Sequence, residues 1–189
     1  MPELPEVETM RRDLAPALQG STIAGMRIFQ RDILMDGEPP RRFAANVRGR
    51  RITRVARRGK NLLLILEPEG RKPASVILIQ VRMTGRFAVA PASDRNGRKL
   101  AEEVGFSHLA AIFRLEDGRS LLYDDVRRLG GFRLLSEEAW RVRERDLGPE
   151  PLLSTFSARD LVTALGSGRA PIKNALLNQR RIAGIGNIY

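Results

Sequence analysis

The chain begins Met1-Pro2-Glu3. Removal of Met1 leaves Pro2 as a secondary amine, whose α-amino reference pKa is ~8. Such an amine is partly neutral at physiological pH and condenses with a carbon at the aldehyde oxidation level. The resulting iminium is an electron sink for elimination. Glu3, beside it, is placed to move protons. Read alone, the same residues are equally a plain helix start. A second chemical candidate is Gly184-Ile185-Gly186-Asn187, a glycine-rich turn whose backbone amides can cradle a phosphate, or simply join two helices. A third is the stretch from Arg41 to Lys60, with nine basic residues (Arg41, Arg42, Arg48, Arg50, Arg51, Arg54, Arg57, Arg58, Lys60) and no acid. It reads either as a field able to neutralise several phosphates or as a solvated face, and the first reading is preferred.

These residues sit in a chain of 189 with a formal net charge of +11, which points to an anionic partner. Its 42% hydrophobic content suffices for a core, so a disordered basic tail is excluded. The absence of cysteine excludes disulfides, thiol catalysis and cysteine-ligated zinc in this chain. One histidine, His108, excludes a multi-histidine metal site and argues against a Ser-His-Asp triad. No apolar run approaches the ~18 residues of a membrane span, and the acidic, proline-containing start is no signal peptide. A soluble, intracellular (cytoplasmic) monomer is expected.

Val7, Met10, Leu14 and Leu18 fall on one face of a first helix, entered through Pro5 and stopped by Gly20. A second short helix is expected over Arg41 to Val47. Strand patterns follow at Thr22 to Phe29, Arg51 to Ala56, Leu62 to Leu66, Val76 to Ile79, Arg86 to Ala90, Leu109 to Leu115, Ser120 to Tyr123 and Phe132 to Leu135. About eight short strands predict a two-layer antiparallel β-sandwich or flattened barrel. Asp94 to Glu103 reads as a mobile polar loop. Ser136 caps a helix over Glu137 to Arg145, and Leu147 to Pro151 is a linker. Ser157 with Asp160 caps a helix to about Leu165, ended by Gly166 and Gly168; Pro171 opens another over Ile172 to Asn178. The expected organisation is a β-sandwich domain with flanking helices over 1–135, a helix and linker over 136–151, and an incomplete helical domain over 152–189.

Pro2-Glu3-Leu4-Pro5-Glu6-Val7-Glu8-Thr9 resembles the N-terminal signature of the bacterial formamidopyrimidine-DNA glycosylases. Further segments resemble that family in the same order. Arg57-Arg58-Gly59-Lys60-Asn61 looks like the segment carrying its essential lysine, and Arg82-Met83-Thr84-Gly85 like its intercalation loop. Asp125-Val126-Arg127-Arg128-Leu129-Gly130 looks like its Asp-Pro-Arg-Arg-Phe-Gly loop, and Leu147 to Leu152 like its linker. Ile172 to Leu177 and Gly184 to Tyr189 look like its helix–two-turn–helix motif. Only the first match is highly specific by itself.

The resemblance implies a bifunctional base-excision repair enzyme acting on double-stranded DNA with oxidised purines (8-oxoguanine, formamidopyrimidines) or abasic sites. In that reading Pro2 is the Schiff-base nucleophile, Glu3 the proton donor and acceptor, and Lys60 the cation for elimination and phosphate. Met83 wedges into the base stack, Arg127 faces the orphaned base, and Arg128 holds phosphate or an acid such as Asp125. His108 lies near the DNA backbone, and Lys173 and Asn187 bind flanking phosphates. Three residues depart from the usual pattern: Arg82 stands where Gly is usual, Val126 replaces Pro, and Leu129 replaces the aromatic wedge. Only four of 33 basic residues are lysine, and both Lys60 and Lys173 fall in matched motifs, as sites needing a compact ammonium would. The resemblance implies no cofactor in this chain; one zinc ion belongs to the four-cysteine finger of full-length relatives, which this sequence does not contain. The chain reads as a fragment lacking its C-terminal part. A non-catalytic damaged-DNA-binding fragment is the alternative, and a generic RNA- or ribosome-associated basic domain a third reading, weakened by the lack of an aromatic platform.

Overall fold

The computed structural model describes residues 2–68, 70, 72–91, 97–166 and 171–189. Met1, Asp94 to Asn96 and Gly168 therefore lie outside the described residues. The first helix, α1 (Leu4–Leu18), buries Leu4, Val7, Leu14 and Leu18 along one stripe. Strand β1 (Ile23–Ile28) and helix α2 (Pro40–Val47) follow, then the strands β2 (Ile52–Arg58), β3 (Asn61–Leu66), β4 (Ser75–Gln80) and β5 (Gly85–Pro91). After α3 (Arg98–Glu103) come β6 (Leu109–Leu115), β7 (Arg119–Asp125) and β8 (Gly131–Ser136). The helices α4 (Glu137–Arg145), α5 (Ala158–Leu165) and α6 (Ile172–Leu177) complete the described elements.

Eight strands form two four-stranded antiparallel sheets, ordered β1-β6-β7-β5 and β2-β3-β4-β8. Period-2 alternation decides which side chains meet between them. Leu62, Leu64 and Leu66 of β3 and Ile77 and Ile79 of β4 face Phe113, Leu115, Leu121 and Tyr123 of the other sheet. Phe132 lies between, edge-on to Phe113 at 5.6 Å and 4.8 Å from the Tyr123 ring. Both sheets are also covered outside. Leu63, Val76 and Leu78 pack under Trp140 of α4. Ala90, Ile112 and Leu122 pack under Leu100 and Ala101 of α3, with Phe106.

That second cover corrects the expectation of a mobile loop through Glu103. Leu100 and Ala101 are the apolar pair of an otherwise polar stretch, and the outer face of β6 and β7 is apolar enough to bind them in a turn of helix. The caps at the C-terminal end follow the expected chemistry. Ser136 Oγ accepts from the Ala139 amide, and Ser157 and Asp160 form a reciprocal capping box.

The Arg41 to Lys60 stretch is corrected too. It is not one phosphate-facing field, because strand alternation and backbone satisfaction divide it. Arg50 is buried and donates to the carbonyls of Glu67 and Pro73 at 2.9 and 2.7 Å. Arg57 and Arg58 point into ion pairs. Arg41, Arg48 and Arg54 keep exposed positions. Truncating Phe132 to Ala should cost about 3–5 kcal/mol through lost burial and the cavity left behind. A thermal melt should then fall by at least ~6 °C for a chain of this size; a smaller drop would show that the inter-sheet core collapses around the gap.

Candidate active site

Pro2, Lys60, Asn61, Gln80, Arg82, Leu177 and Gln179 line a single cavity of about 240 Å³. Four separate elements deliver them. Pro2 precedes α1; Lys60 sits in the two-residue turn joining β2 to β3, between the paired Arg58 and Asn61. Gln80 ends β4, and Leu177 and Gln179 follow from α6. Across the floor Arg82 donates to Gln80 Oε1 (2.9 Å), Gln80 to Asn61 Oδ1 (2.9 Å), and Asn61 to the Arg58 carbonyl (3.1 Å). Burial, and to a smaller extent the Arg82 guanidinium, lower the Lys60 pKa from the ordinary lysine value, opposed by the Glu3 carboxylate. Lys60 thus has a larger neutral fraction than a free lysine, in a cavity that Pro2 also lines.

Glu3 has no exposed surface. Its carboxylate accepts from the amides of Ile188 (2.9 Å) and Tyr189 (3.4 Å). Its own amide donates to Glu6 Oε2 at 2.8 Å, and Tyr189 Oη donates to Glu6 Oε1 at 2.6 Å. That phenol bond holds the Glu6 carboxyl below its ordinary pKa. Glycine is required on the opposite side: a Cβ at Gly186 would lie 2.1 Å from the Glu3 carboxylate, and one at Gly184 would lie 2.3 Å from Leu4. Of the 184–187 amides expected to cradle a phosphate, that of Gly184 is committed inside the protein, donating to Gln179 Oε1; the next two amides, of Ile188 and Tyr189, donate to Glu3. Lys173 and Asn187 are exposed, the former on α6, whose last residue borders the cavity.

Two loops form the rim beside Arg82. Met83 is 40% exposed and touches Arg127, whose Nη1 lies 3.0 Å from Met83 Sδ. Leu129 is 50% exposed and Val126 is exposed next to it. Buried Asp125 joins the loops, accepting from Thr84 Oγ1, from Tyr123 Oη (3.3 Å) and from the Gly130 amide (2.8 Å). Burial pushes the Tyr123 phenol well up, so it remains a donor. Arg128 pairs with Asp32 at 2.8 Å, not with Asp125, whose carboxylate is already used by those donors. His108 lies outside the Pro2 cavity, in a neighbouring groove with Phe29, Gln30 and Phe106. Its amide donates to Asp124 and its carbonyl accepts from Asp125, which places it at the same sheet end as the rim loops.

The sequence reading missed the residues behind the site. Arg57, 6% exposed along its side chain, donates to Glu8 (3.1 Å), to the Gly59 carbonyl (2.8 Å) and to Glu150 (2.9 Å). Arg58 donates to the Leu147 and Gly148 carbonyls and to Glu150. An arginine pair two and three residues before a lysine carried no sign of this, and Glu150 read as linker.

With this geometry in place, comparison with known proteins is informative. The formamidopyrimidine-DNA glycosylase N-terminal domain profile matches residues 1–132, and that family's H2TH domain profile matches residues 147–189. The chain belongs to the formamidopyrimidine-DNA glycosylase family. It is 40% identical over 189 residues to the formamidopyrimidine-DNA glycosylase of Chloroflexus aurantiacus, covering all of this chain and 63% of that protein. It is 37% identical over 191 residues to that of Bacillus subtilis, covering 64% of it. Among solved structures it resembles the Lactococcus lactis protein in complex with DNA containing an abasic site, with TM-score 0.80, 26% identity and coverage of 99% of this chain and 64% of that one. The same protein with DNA containing a formamidopyrimidine (FAPY-dG) gives TM-score 0.80 at 26% identity, over 99% of this chain and 65% of that one. The chain spans about 63–64% of the length of these curated relatives.

Arg82 adopts φ +50 and Arg128 φ +55, both non-glycine residues in the left-handed region. A non-glycine residue there carries strain of about 1–2 kcal/mol. A glycine returns roughly 0.5–1 kcal/mol of this through its greater freedom in the unfolded chain, so Arg82→Gly should raise the melting temperature by roughly 1–4 °C; a lower value than the parent's would show that the Gln80 contact outweighs the strain. A second expectation concerns acid. Hydrogen bonding from Arg11, against the opposing cost of burial, with further bonds from Arg12 and Arg57, holds the Glu8 carboxyl down from 4.5 to about 2. The stabilisation is complete above pH 4.5 and is lost as pH falls toward 2. Denaturant midpoints across that window should fall less steeply in Glu8→Gln than in the parent.

Proposed function

We propose that this chain carries the catalytic half of a bifunctional DNA glycosylase and abasic-site lyase for oxidised purines, with Pro2 as nucleophile. One observation carries the reading: Pro2 and Lys60, which are far apart in sequence, line one cavity above the buried Glu3. Its closeness to Lactococcus lactis complexes with abasic and FAPY-dG DNA supports a damaged duplex as partner.

The chemistry starts from a Pro2 freed of Met1. Its nitrogen lone pair attacks C1′ of the damaged nucleotide, and the C1′–N bond to the base breaks with the electron pair leaving on the base. A proton delivered to the departing base or the ring oxygen completes the step. Glu3, fixed by two amides, is the acid–base group nearest the amine in sequence. Ring opening gives the iminium between Pro2 and C1′. Loss of a C2′ proton then expels the 3′ phosphate, and a second elimination expels the 5′ phosphate. Lys60 supplies positive charge for those anions. Its lowered pKa also lets its neutral form accept a proton.

Extrusion of the nucleotide leaves a hole in the duplex that must be filled. Met83 and Leu129 are the exposed apolar side chains on the rim, and Arg127 beside Met83 is placed to meet the orphaned base. Leu129 fills volume without a ring to stack. The exposed cations Lys173 and Arg128 and the amide of Asn187 are the proposed phosphate contacts. No metal takes part in the proposed steps, and the chain is proposed to act as a monomer. Among the described residues no helix is long and apolar enough to cross a membrane.

Borohydride reduction of the iminium should join the chain covalently to an abasic duplex. Pro2→Gly should trap far more slowly, and a retained Met1 or an N-terminal extension should abolish the adduct. Glu3→Gln should slow base release by ~10²-fold or more while slowing trapping at a preformed abasic site much less. An adduct that maps to Lys60, or that persists with the N-terminus blocked, would remove Pro2 from the mechanism.

A further inference from the structure

We propose that Glu150 is a positioning residue for Lys60, the linker carboxylate that holds the Gly59-Lys60 turn and thereby aims Lys60 into the Pro2 cavity. The inference rests on the reading of Lys60 as a participant in the reaction. The turn is a two-residue hairpin with Gly59 at φ +57. Such a turn has few ways of being held, because its side chains are a hydrogen atom and the long, flexible lysine itself. Here both polar groups of the Gly59 backbone are gripped by charged side chains. Its amide donates to Glu150 Oε2 at 2.9 Å, and its carbonyl accepts from Arg57 Nη1 at 2.8 Å. The same Arg57 nitrogen donates to Glu150 Oε1 at 2.9 Å, which closes a ring of hydrogen bonds behind the turn.

That ring joins the other parts of the site. Arg57 also pairs with Glu8 on α1, the helix that follows Pro2 and Glu3. Arg58 binds the linker carbonyls of Leu147 and Gly148 and shares Glu150 Oε2 with the Gly59 amide. The linker holds the segment that walls the cavity: Gly148 donates to the Gln179 carbonyl, and Ala183 donates to the Pro149 carbonyl. The turn also abuts Ala183 directly, since a Cβ at Gly59 would come within 3.3 Å of the Ala183 Cβ. Among the described residues Glu150 is thus the one carboxylate bonded at once to the lysine turn and to the arginine anchored on the nucleophile's helix. Burying a carboxylate is costly unless its lone pairs are filled by donors, and charge-assisted bonds in this setting are strong and directional. A fastening that needed only cohesion could be made with apolar side chains. One that must fix the backbone immediately before a reacting ammonium needs directed bonds.

The test uses the whole 189-residue chain labelled with ¹³Cε-lysine. Four lysines give few signals, and Lys60→Arg identifies the one that matters. Glu150→Gln should shift the Lys60 signal and move its titration midpoint up towards the ordinary lysine value, as the released side chain regains water. Glu150→Asp keeps the charge but withdraws the carboxylate, so it should show a smaller shift in the same direction; it carries the test if Glu150→Gln does not fold. Glu144→Gln, which removes only the peripheral partner of Arg58 at 3.6 Å, should leave the Lys60 signal in place. Trapping on an abasic duplex should fall ~10–100-fold in Glu150→Gln with duplex affinity changed less than twofold, as expected when a reacting group is misplaced by about an ångström. A Lys60 signal and midpoint that coincide with the parent in a folded Glu150 variant would overturn the proposal, whatever happens to trapping. A parent chain that never traps DNA would instead count against the Pro2 reading, while the lysine signal still decides the role of Glu150.

Discussion

A carboxylate with no exposed surface must find all its donors inside the protein. Glu3 finds them in the Ile188 and Tyr189 amides, more than 180 positions along the chain. Much of the site's architecture follows from that bond. It fixes the residue next to Pro2, so the amine cannot wander over the entrance of its own helix. It requires the 184–189 segment to lie against the start of α1, which Gly184 and Gly186 permit because any Cβ there would strike Leu4 or Glu3. It also brings the end of α6 and Gln179 to the cavity, where Gln179 bridges the Gly184 amide and the Ile185 carbonyl. The β-sandwich and the helical segment are thus joined at the reacting end, not only through the linker.

A second buried carboxylate solves the matching problem for Lys60. The ordinary expectation for an arginine-rich run is a surface field for a polyanion. Here Arg50, Arg57 and Arg58 are used as internal donors, each satisfying backbone carbonyls or buried acids. A planar guanidinium with five donors can meet several acceptors at fixed angles, which an ammonium cannot. At this site the two cation types are therefore divided by task. Arg57 and Arg58 fasten the backbone, and Lys60 is left at the cavity with its charge partly destabilised by burial.

What the sequence made legible follows from which interactions are local. Short runs rich in strand-favouring apolar residues, set between turn signals, located all eight strands among the described residues to within a few residues, because such runs are written in each strand's own side chains. The caps at Ser136 and Ser157 were legible for the same reason: donor and acceptor lie three residues apart. The short helix over Arg98–Glu103 was not, since its only apolar residues gain meaning from Ile112 and Leu122 on a sheet formed elsewhere in the chain. Motif resemblance brought Pro2, Glu3 and Lys60 to notice, yet nothing in their spacing shows that Glu3 is buried under a distant turn. Arg128 was offered Asp125 as a neighbour in sequence, whereas three-dimensional competition gave Asp125 to Thr84, Tyr123 and Gly130 and left Arg128 to Asp32.

The rim loops show how exposed apolar side chains are held in place at the edge of the cavity. Apolar side chains offered to water, such as Met83 and Leu129, gain nothing from being held there in the free protein. Their loops must be secured by other bonds. Asp125 does this from below, tying the turn after β4 to the turn after β7 through side-chain and backbone donors at once. Arg82 and Arg128 accept left-handed backbone in the same two turns, a strain that the surrounding bonds sustain. Strain of this kind concentrates where position matters more than stability, and here the two instances flank the exposed apolar residues Met83 and Leu129. Leu129 stands at the exposed tip of a loop whose frame is held on one side by the Asp125 carboxylate and on the other by the Arg128–Asp32 pair. The shape of the loop therefore depends on those bonds and not on the size of the side chain at its tip.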